Sequence, residues 1–157
     1  MRYEHLLQVT DPLDPAVPPM SRDELWRGLM RRVESPQSFE LGPDHCEVEP
    51  GADASRRRRS IHFGALRFDD EVHIEPMQRL VFATDPREGT ATVGLTISIE
   101  EPEPGALFLR FVYAVDEPAS GTTVEDQALQ RYREQAWLEM DRDMLRTLRQ
   151  WQREGRL

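Results

Sequence analysis

The stretch that decides the fold is TTVEDQALQRYREQAWLEMDRDMLRTLRQWQREG, residues 122–155. Its start carries the spacing of a capping box, with the Thr122 hydroxyl positioned to cap and Glu125 to reach back, while Asp126 adds negative charge to the first turn. Gly155, behind Arg149 and Arg153, supplies the stop. The spacing predicts one helix over 123–154, roughly 45 Å long if straight. Leu129, Tyr132, Ala136, Trp137, Met140, Met144, Leu148 and Trp151 fall on one broad stripe, and Arg131, Gln135, Arg142 and Arg149 lie opposite. Such a stripe has to cover a large apolar surface.

That surface is written upstream. Residues 1–10 alternate as a half-buried strand, with His5, Leu7 and Val9 on one face. Four prolines, at positions 12, 15, 18 and 19, then fix φ and remove donors, which dictates an extended loop. Ser21 with Glu24, and Met20 with Leu25, have the spacing of a capping box and a hydrophobic staple at the start of a helix. Its apolar stripe is Leu25, Trp26, Leu29, Met30 and Val33, and Ser35-Pro36 opens a second short helix through Phe39. Strand-like runs follow at 45–49, 57–63, 66–75, 79–84, 90–100 and 106–115, with separators short enough to join antiparallel neighbours as a meander. The reading is a single α+β domain over 1–157: a curved seven-stranded antiparallel sheet around the long C-terminal helix, with two short helices after the first strand. One helix cannot fill the concave side of so many strands, so a pocket is expected beneath it.

Composition narrows the function classes. At 157 residues with 38% apolar and 31% charged side chains, the chain is large enough for one core and has no disorder signature. A net charge of −9 disfavours nucleic acid as a partner. Every basic residue apart from the histidines is Arg, which reads as codon bias. The single Cys46 permits no intrachain disulfide and no cysteine-rich zinc site, and no export signal or membrane span is visible, so a cytoplasmic monomer or homodimer is expected. His45, Cys46, His62 and His73 match no ligand spacing; neither metal nor cofactor is expected. There is no Gly-rich phosphate loop and no serine in a nucleophile elbow. The Arg56–Arg59 run is dispersed by strand alternation, and the acids at 100–103 read as a charged hairpin turn.

Several segments resemble a known family. Met1-Arg2-Tyr3-Glu4-His5-Leu6, Leu25-Trp26-Arg27-Gly28-Leu29, Phe63-Gly64-Ala65-Leu66, the run from Ile99-Glu100-Glu101-Pro102 to Phe111-Val112-Tyr113, and the ending Glu154-Gly155-Arg156-Leu157 are similar to the AtaL-like family of the SRPBCC (START-like, helix-grip) superfamily. The element order resembles that superfamily too, which includes lipid-transfer domains, pollen-allergen relatives and polyketide cyclases. The resemblance implies a helix-grip fold from end to end and an internal cavity for a small hydrophobic or aromatic molecule, polyketide- or lipid-like. It transfers no catalytic signature.

Four polar residues, His5, Arg59, Asp70 and Tyr113, fall on inner strand faces among apolar neighbours. In a cyclase or aromatase-like reading Tyr113 is the general acid, His5 the base, and Arg59 the group that stabilises an enolate. The competing reading makes each a satisfied buried polar group. Phe63, Phe68, Phe82, Phe111, Tyr113, Trp137 and Met140 are the candidate ligand-binding surface, and the same residues would also serve as ordinary core. Carriage without chemistry, and a protein-interaction module with a filled core, are the alternatives. Arg110 has the opposite parity and is placed outside.

Overall fold

The computed structural model describes residues 1–116 and 123–157. β1 (Arg2–Thr10) leads into α1 (Arg22–Glu34); β2 (His45–Pro50), β3 (Arg56–Phe63), β4 (Leu66–Glu75), β5 (Arg79–Thr84), β6 (Thr92–Glu103) and β7 (Ala106–Asp116) follow, and α2 (Val124–Arg153) closes the order. All strands are antiparallel in one seven-stranded sheet of order β1-β7-β6-β5-β4-β3-β2. The meander therefore runs from β2 to β7, and β1 joins its far edge. This is the α+β helix-grip architecture expected from the sequence.

Two local expectations are corrected. The second short helix is a single 3-10 turn, Pro36–Ser38, because Pro36 starts it and Gly42 donates to the Phe39 carbonyl at 3.0 Å to turn the chain away. At α2 the cap is Thr123, whose hydroxyl accepts from the Asp126 amide at 3.1 Å; the Thr122 cap lies outside the described residues. At α1 the capping box forms as read, with Ser21 and Glu24 exchanging side-chain to backbone bonds of 3.1 Å in each direction. The proline loop is closed by one hydroxyl: Thr10 Oγ1 donates to the Met20 carbonyl at 2.8 Å and accepts from the Met20 amide at 3.1 Å.

The core lies between the inner sheet face and the two helices. Val72, Leu80, Ile97, Leu109 and Phe111 from the strands meet Leu25, Leu29 and Val33 of α1 and Met144, Leu145, Leu148 and Trp151 of α2. Only the C-terminal half of the α2 stripe is used this way. Leu129 and Tyr132 are 60% and 79% exposed, so the apolar periodicity outlasts the packing surface. Arg149, read as solvent-facing, is half-buried and donates to the Val9 carbonyl. The arginine run alternates as expected: Arg56 and Arg58 pair with Glu71, Arg57 with Glu34, and Arg59 turns inward to Asp70. Arg110 pairs with Glu4 and Glu100.

The helices meet at Gly28, where a Cβ would stand 2.6 and 2.7 Å from the two terminal methyls of Leu148. Leu148 has no exposed surface and no route out to solvent. Gly28→Ala is expected to destabilise the fold by about 1–3 kcal/mol in chemical denaturation, despite the better helix propensity of Ala. A gain in stability would show that Leu148 can yield, and that the close approach does not set the helix packing.

Candidate functional site

Beneath α2 the sheet and helices leave a cavity of about 740 Å³. Its wall is mostly apolar: Ile61 and Phe63 of β3, Phe68 of β4, Phe82 of β5, Val93 and Leu95 of β6, and Trp137 and Met140 of α2. Phe63 and Phe68 stack with centroids 6.3 Å apart across the β3–β4 hairpin, whose tight turn uses Gly64 at φ 55°. Trp137 lies parallel to Tyr113, 4.2 Å between centroids. Flat aromatic surface therefore faces the space from both the sheet and the helix.

Polar groups enter at two places. The first centres on Asp141, which has no exposed surface. Its Oδ1 accepts from Arg32 NH1 at 2.7 Å, its Oδ2 from His5 Nε2 at 2.7 Å, and the Tyr113 hydroxyl donates to the same carboxylate at 2.8 and 3.0 Å. A buried carboxylate is tolerable only with such a set of donors. Arg32 and Tyr113 form part of the cavity wall, whereas Asp141 and His5 stand behind them. With Nε2–H donating to Asp141, a neutral His5 ring keeps a bare Nδ1, and among the described residues that buried atom has no hydrogen-bond partner. The ring is stacked on Phe111 at 4.7 Å. Burial holds the Tyr113 phenol far above its ordinary range, with the Asp141 charge acting in the same direction and Arg32 against it. For Arg32 burial disfavours the charge, but Asp141 and Tyr113 override it and hold the guanidinium above its usual value.

The second place is the Arg59–Asp70 pair, directly opposed in the β3–β4 register. Arg59 Nε and NH2 reach the two Asp70 oxygens at 2.9 and 2.6 Å, and NH1 donates to the Arg32 and Val33 carbonyls at 2.9 and 3.2 Å. Four of its five N–H groups thus have acceptors, and its plane lies 5.0 Å over the Phe82 ring. This pair fastens the last turn of α1, where Arg32 sits, to the sheet.

The sequence-derived candidates divide accordingly. Phe63, Phe68, Phe82, Tyr113, Trp137 and Met140 line the cavity, together with Arg59 and Asp70. Phe111 is fully buried in the core, and His5 reaches the site only through Asp141. Asp141 and Arg32 escaped the sequence reading. Both carried a signal: Asp141 is a charge on the apolar stripe, four residues after Trp137 and three before Met144, and Arg32 follows Leu29 by three. Among the described residues no three His, Cys, Asp or Glu side chains are placed to hold a metal, and no helix is long and apolar enough to cross a membrane.

Comparison with known proteins adds a family. The family model for acetylaranotin biosynthesis cluster protein L, AtaL, matches residues 7–155. No curated protein matches the chain. Among solved structures, the Zhui aromatase/cyclase from Streptomyces sp. R1128 superposes with a TM-score of 0.68 at 11% identity, over 96% of this chain and 94% of that one. The di-domain aromatase/cyclase StfQ from the steffimycin biosynthetic pathway gives 0.72 at 13% identity, over 98% of this chain and 52% of its own. Ara h 8.0201 gives 0.65 at 8% identity, over 94% and 97%. Identities this low establish the fold alone, but the family model spans almost the whole sequence, and the chain belongs to the AtaL family.

Proposed function

We propose that the protein encloses a small hydrophobic or aromatic molecule, polyketide- or lipid-like, between its sheet and α2. One observation carries this: a cavity of about 740 Å³, within the range of sites for small organic molecules, whose wall is mostly apolar, with rings from both the sheet and α2 and a minority of polar side chains among them. Burial of the ligand's apolar surface supplies the affinity, and Arg32 and Tyr113 fix its orientation. The similar aromatase/cyclase structures supply a precedent for polyketide-like ligands in this fold.

The test uses N-phenyl-1-naphthylamine, an uncharged aromatic probe that fluoresces on leaving water, together with native mass spectrometry of freshly purified protein. Saturable uptake at one probe per chain, or a co-purifying small molecule, is the expected result. Neither probe uptake nor any extra mass would refute the reading and favour an interaction module.

A cyclase-type reaction is the second reading, favoured by the position of Arg32. Its NH1 is taken by Asp141, whereas NH2 contacts the Met140 sulfur at 4.0 Å, which leaves one of its two N–H groups for a ligand oxygen. In an intramolecular aldol step the ligand loses a proton beside a carbonyl, Arg32 holds the enolate oxygen, and the new C–C bond forms onto a second carbonyl. That carbonyl oxygen takes up a proton, and water is then lost. Tyr113, backed by Asp141 and His5, is the group placed to pass those protons. Arg59, with four of its five N–H groups committed to Asp70 and the end of α1, then acts on Arg32 rather than on the ligand.

A further inference from the structure

The charges around the cavity do not cancel. Two acids lie on its wall, Asp70 and Asp85, and each is already paired: Asp70 with Arg59, and Asp85 with Arg58 through both carboxylate oxygens. Arg32 is neutralised by Asp141. Two lining arginines remain, Arg67 at the start of β4 and Arg87 in the β5–β6 connection. Backbone geometry places them side by side. The β4–β5 register ends at Asp70 opposite Thr84, the Asp85 amide extends it by donating to the Asp69 carbonyl at 2.8 Å, and two residues further out Arg67 faces Arg87, whose NH1 donates to the Arg67 carbonyl. Arg67 Nε donates to Ser60 Oγ at 3.0 Å and comes no nearer than 3.9 Å to the Asp69 carboxylate. Among the described residues Arg87 has no acidic partner.

We propose that Arg67 and Arg87 form an oxyanion subsite at the cavity mouth, so that the ligand is a hydrophobic molecule ending in a negatively charged group. This rests on the cavity reading above and names the chemical class of its occupant. A chain of net charge −9 repels small anions at long range, so two adjacent guanidiniums beside an apolar cavity, Arg87 with no acidic partner among the described residues and Arg67 with only the long 3.9 Å approach to Asp69, form a local exception to its overall field. Guanidinium forks match oxyanions through paired N–H bonds, and such charge-assisted bonds are stronger at the edge of a low-dielectric cavity than in open solvent. The apolar body of the ligand would lie between Trp137 and the phenylalanines, and its charged end would stay at the rim and remain partly hydrated.

Two probes with nearly the same aromatic body separate the claims: 8-anilino-1-naphthalenesulfonate, which carries an anion, and the uncharged N-phenyl-1-naphthylamine. With the full chain, the sulfonate is expected to bind the tighter of the two. Its affinity should fall several-fold between low and about 0.5 M salt, while that of the neutral probe does not. The variant Arg67→Gln/Arg87→Gln should bind the sulfonate roughly tenfold more weakly and the neutral probe as before. Both side chains are exposed, so the fold should tolerate the change, and the salt dependence of the unmodified protein tests the same point without any substitution. If the neutral probe binds but the sulfonate shows neither preference, salt dependence nor loss in the variant, the oxyanion subsite is refuted and the cavity reading stands. If neither probe binds and no extra mass co-purifies, both fall.

Discussion

Asp141→Ala is expected to destabilise the protein by about 3–5 kcal/mol, because it removes the one acceptor shared by a buried guanidinium, a buried phenol and an imidazole. The lost Coulomb attraction is the smaller part of this. Arg32, whose side chain is 12% exposed, would be left as an uncompensated charge among Met140 and Met144, with the Tyr113 hydroxyl and His5 Nε2 also without partners. At about 2–4 °C per kcal/mol for a chain of this size, the melting temperature should drop by roughly 6–20 °C. The double variant Arg32→Met/Asp141→Leu should be less destabilised than Asp141→Ala alone, since an apolar pair of similar volume removes the orphaned charge together with its partner. Additive losses in that cycle would mean that the two residues act independently, which would also remove the basis for reading Arg32 and Tyr113 as one polar anchor. The cycle uses thermal melts of the unmodified protein, Arg32→Met, Asp141→Leu and the double variant near neutral pH, with Asp141→Ala beside them.

How much of this could be read from the sequence depended on whether the feature is local or relational. Capping at Ser21, strand alternation through the Arg56–Arg59 run and the stop at Gly155 depend on neighbouring residues, and they folded as the pattern dictates. The α2 stripe was legible in phase but not in extent. Periodicity says which face is apolar, while the point where the sheet ceases to cover it, leaving Leu129 and Tyr132 exposed, is set by how far the strands reach. Asp141 was passed over because a helical wheel weighs the average of a face, and eight apolar residues on the stripe outvote one carboxylate. Its partners come from α1, β1 and β7, at sequence separations of 109, 136 and 28 residues, so no local pattern could join them. Phe111 and Tyr113 share a strand face two residues apart, yet one is core and the other cavity wall. Phe111 is covered by the His5 ring, whereas Tyr113 packs under Trp137 at the edge of the cavity, and which ring covers which position is a property of the packed fold.

The second large effect is expected at Arg59. Arg59→Met leaves Asp70, 3% exposed, as a carboxylate buried beside Phe82, and leaves the Arg32 and Val33 carbonyls of α1 without their donor. A loss of about 3–5 kcal/mol is expected in denaturant titration. Arg59→Lys should recover only a small part, because one ammonium cannot span both Asp70 oxygens and still reach two helix carbonyls. Arg59→Met/Asp70→Leu should recover more, since it removes the stranded charge, but it would not restore the tie to α1. That difference separates a positioning role from a direct one. If Arg59 acts by holding the last turn of α1, every variant that breaks the tie should also weaken N-phenyl-1-naphthylamine binding, through displacement of Arg32 from the wall. If instead Arg59→Lys kept full stability and probe binding while abolishing conversion of a cognate ligand, the guanidinium would be acting on the ligand itself, and the enolate-stabilising role read from the sequence would return to Arg59.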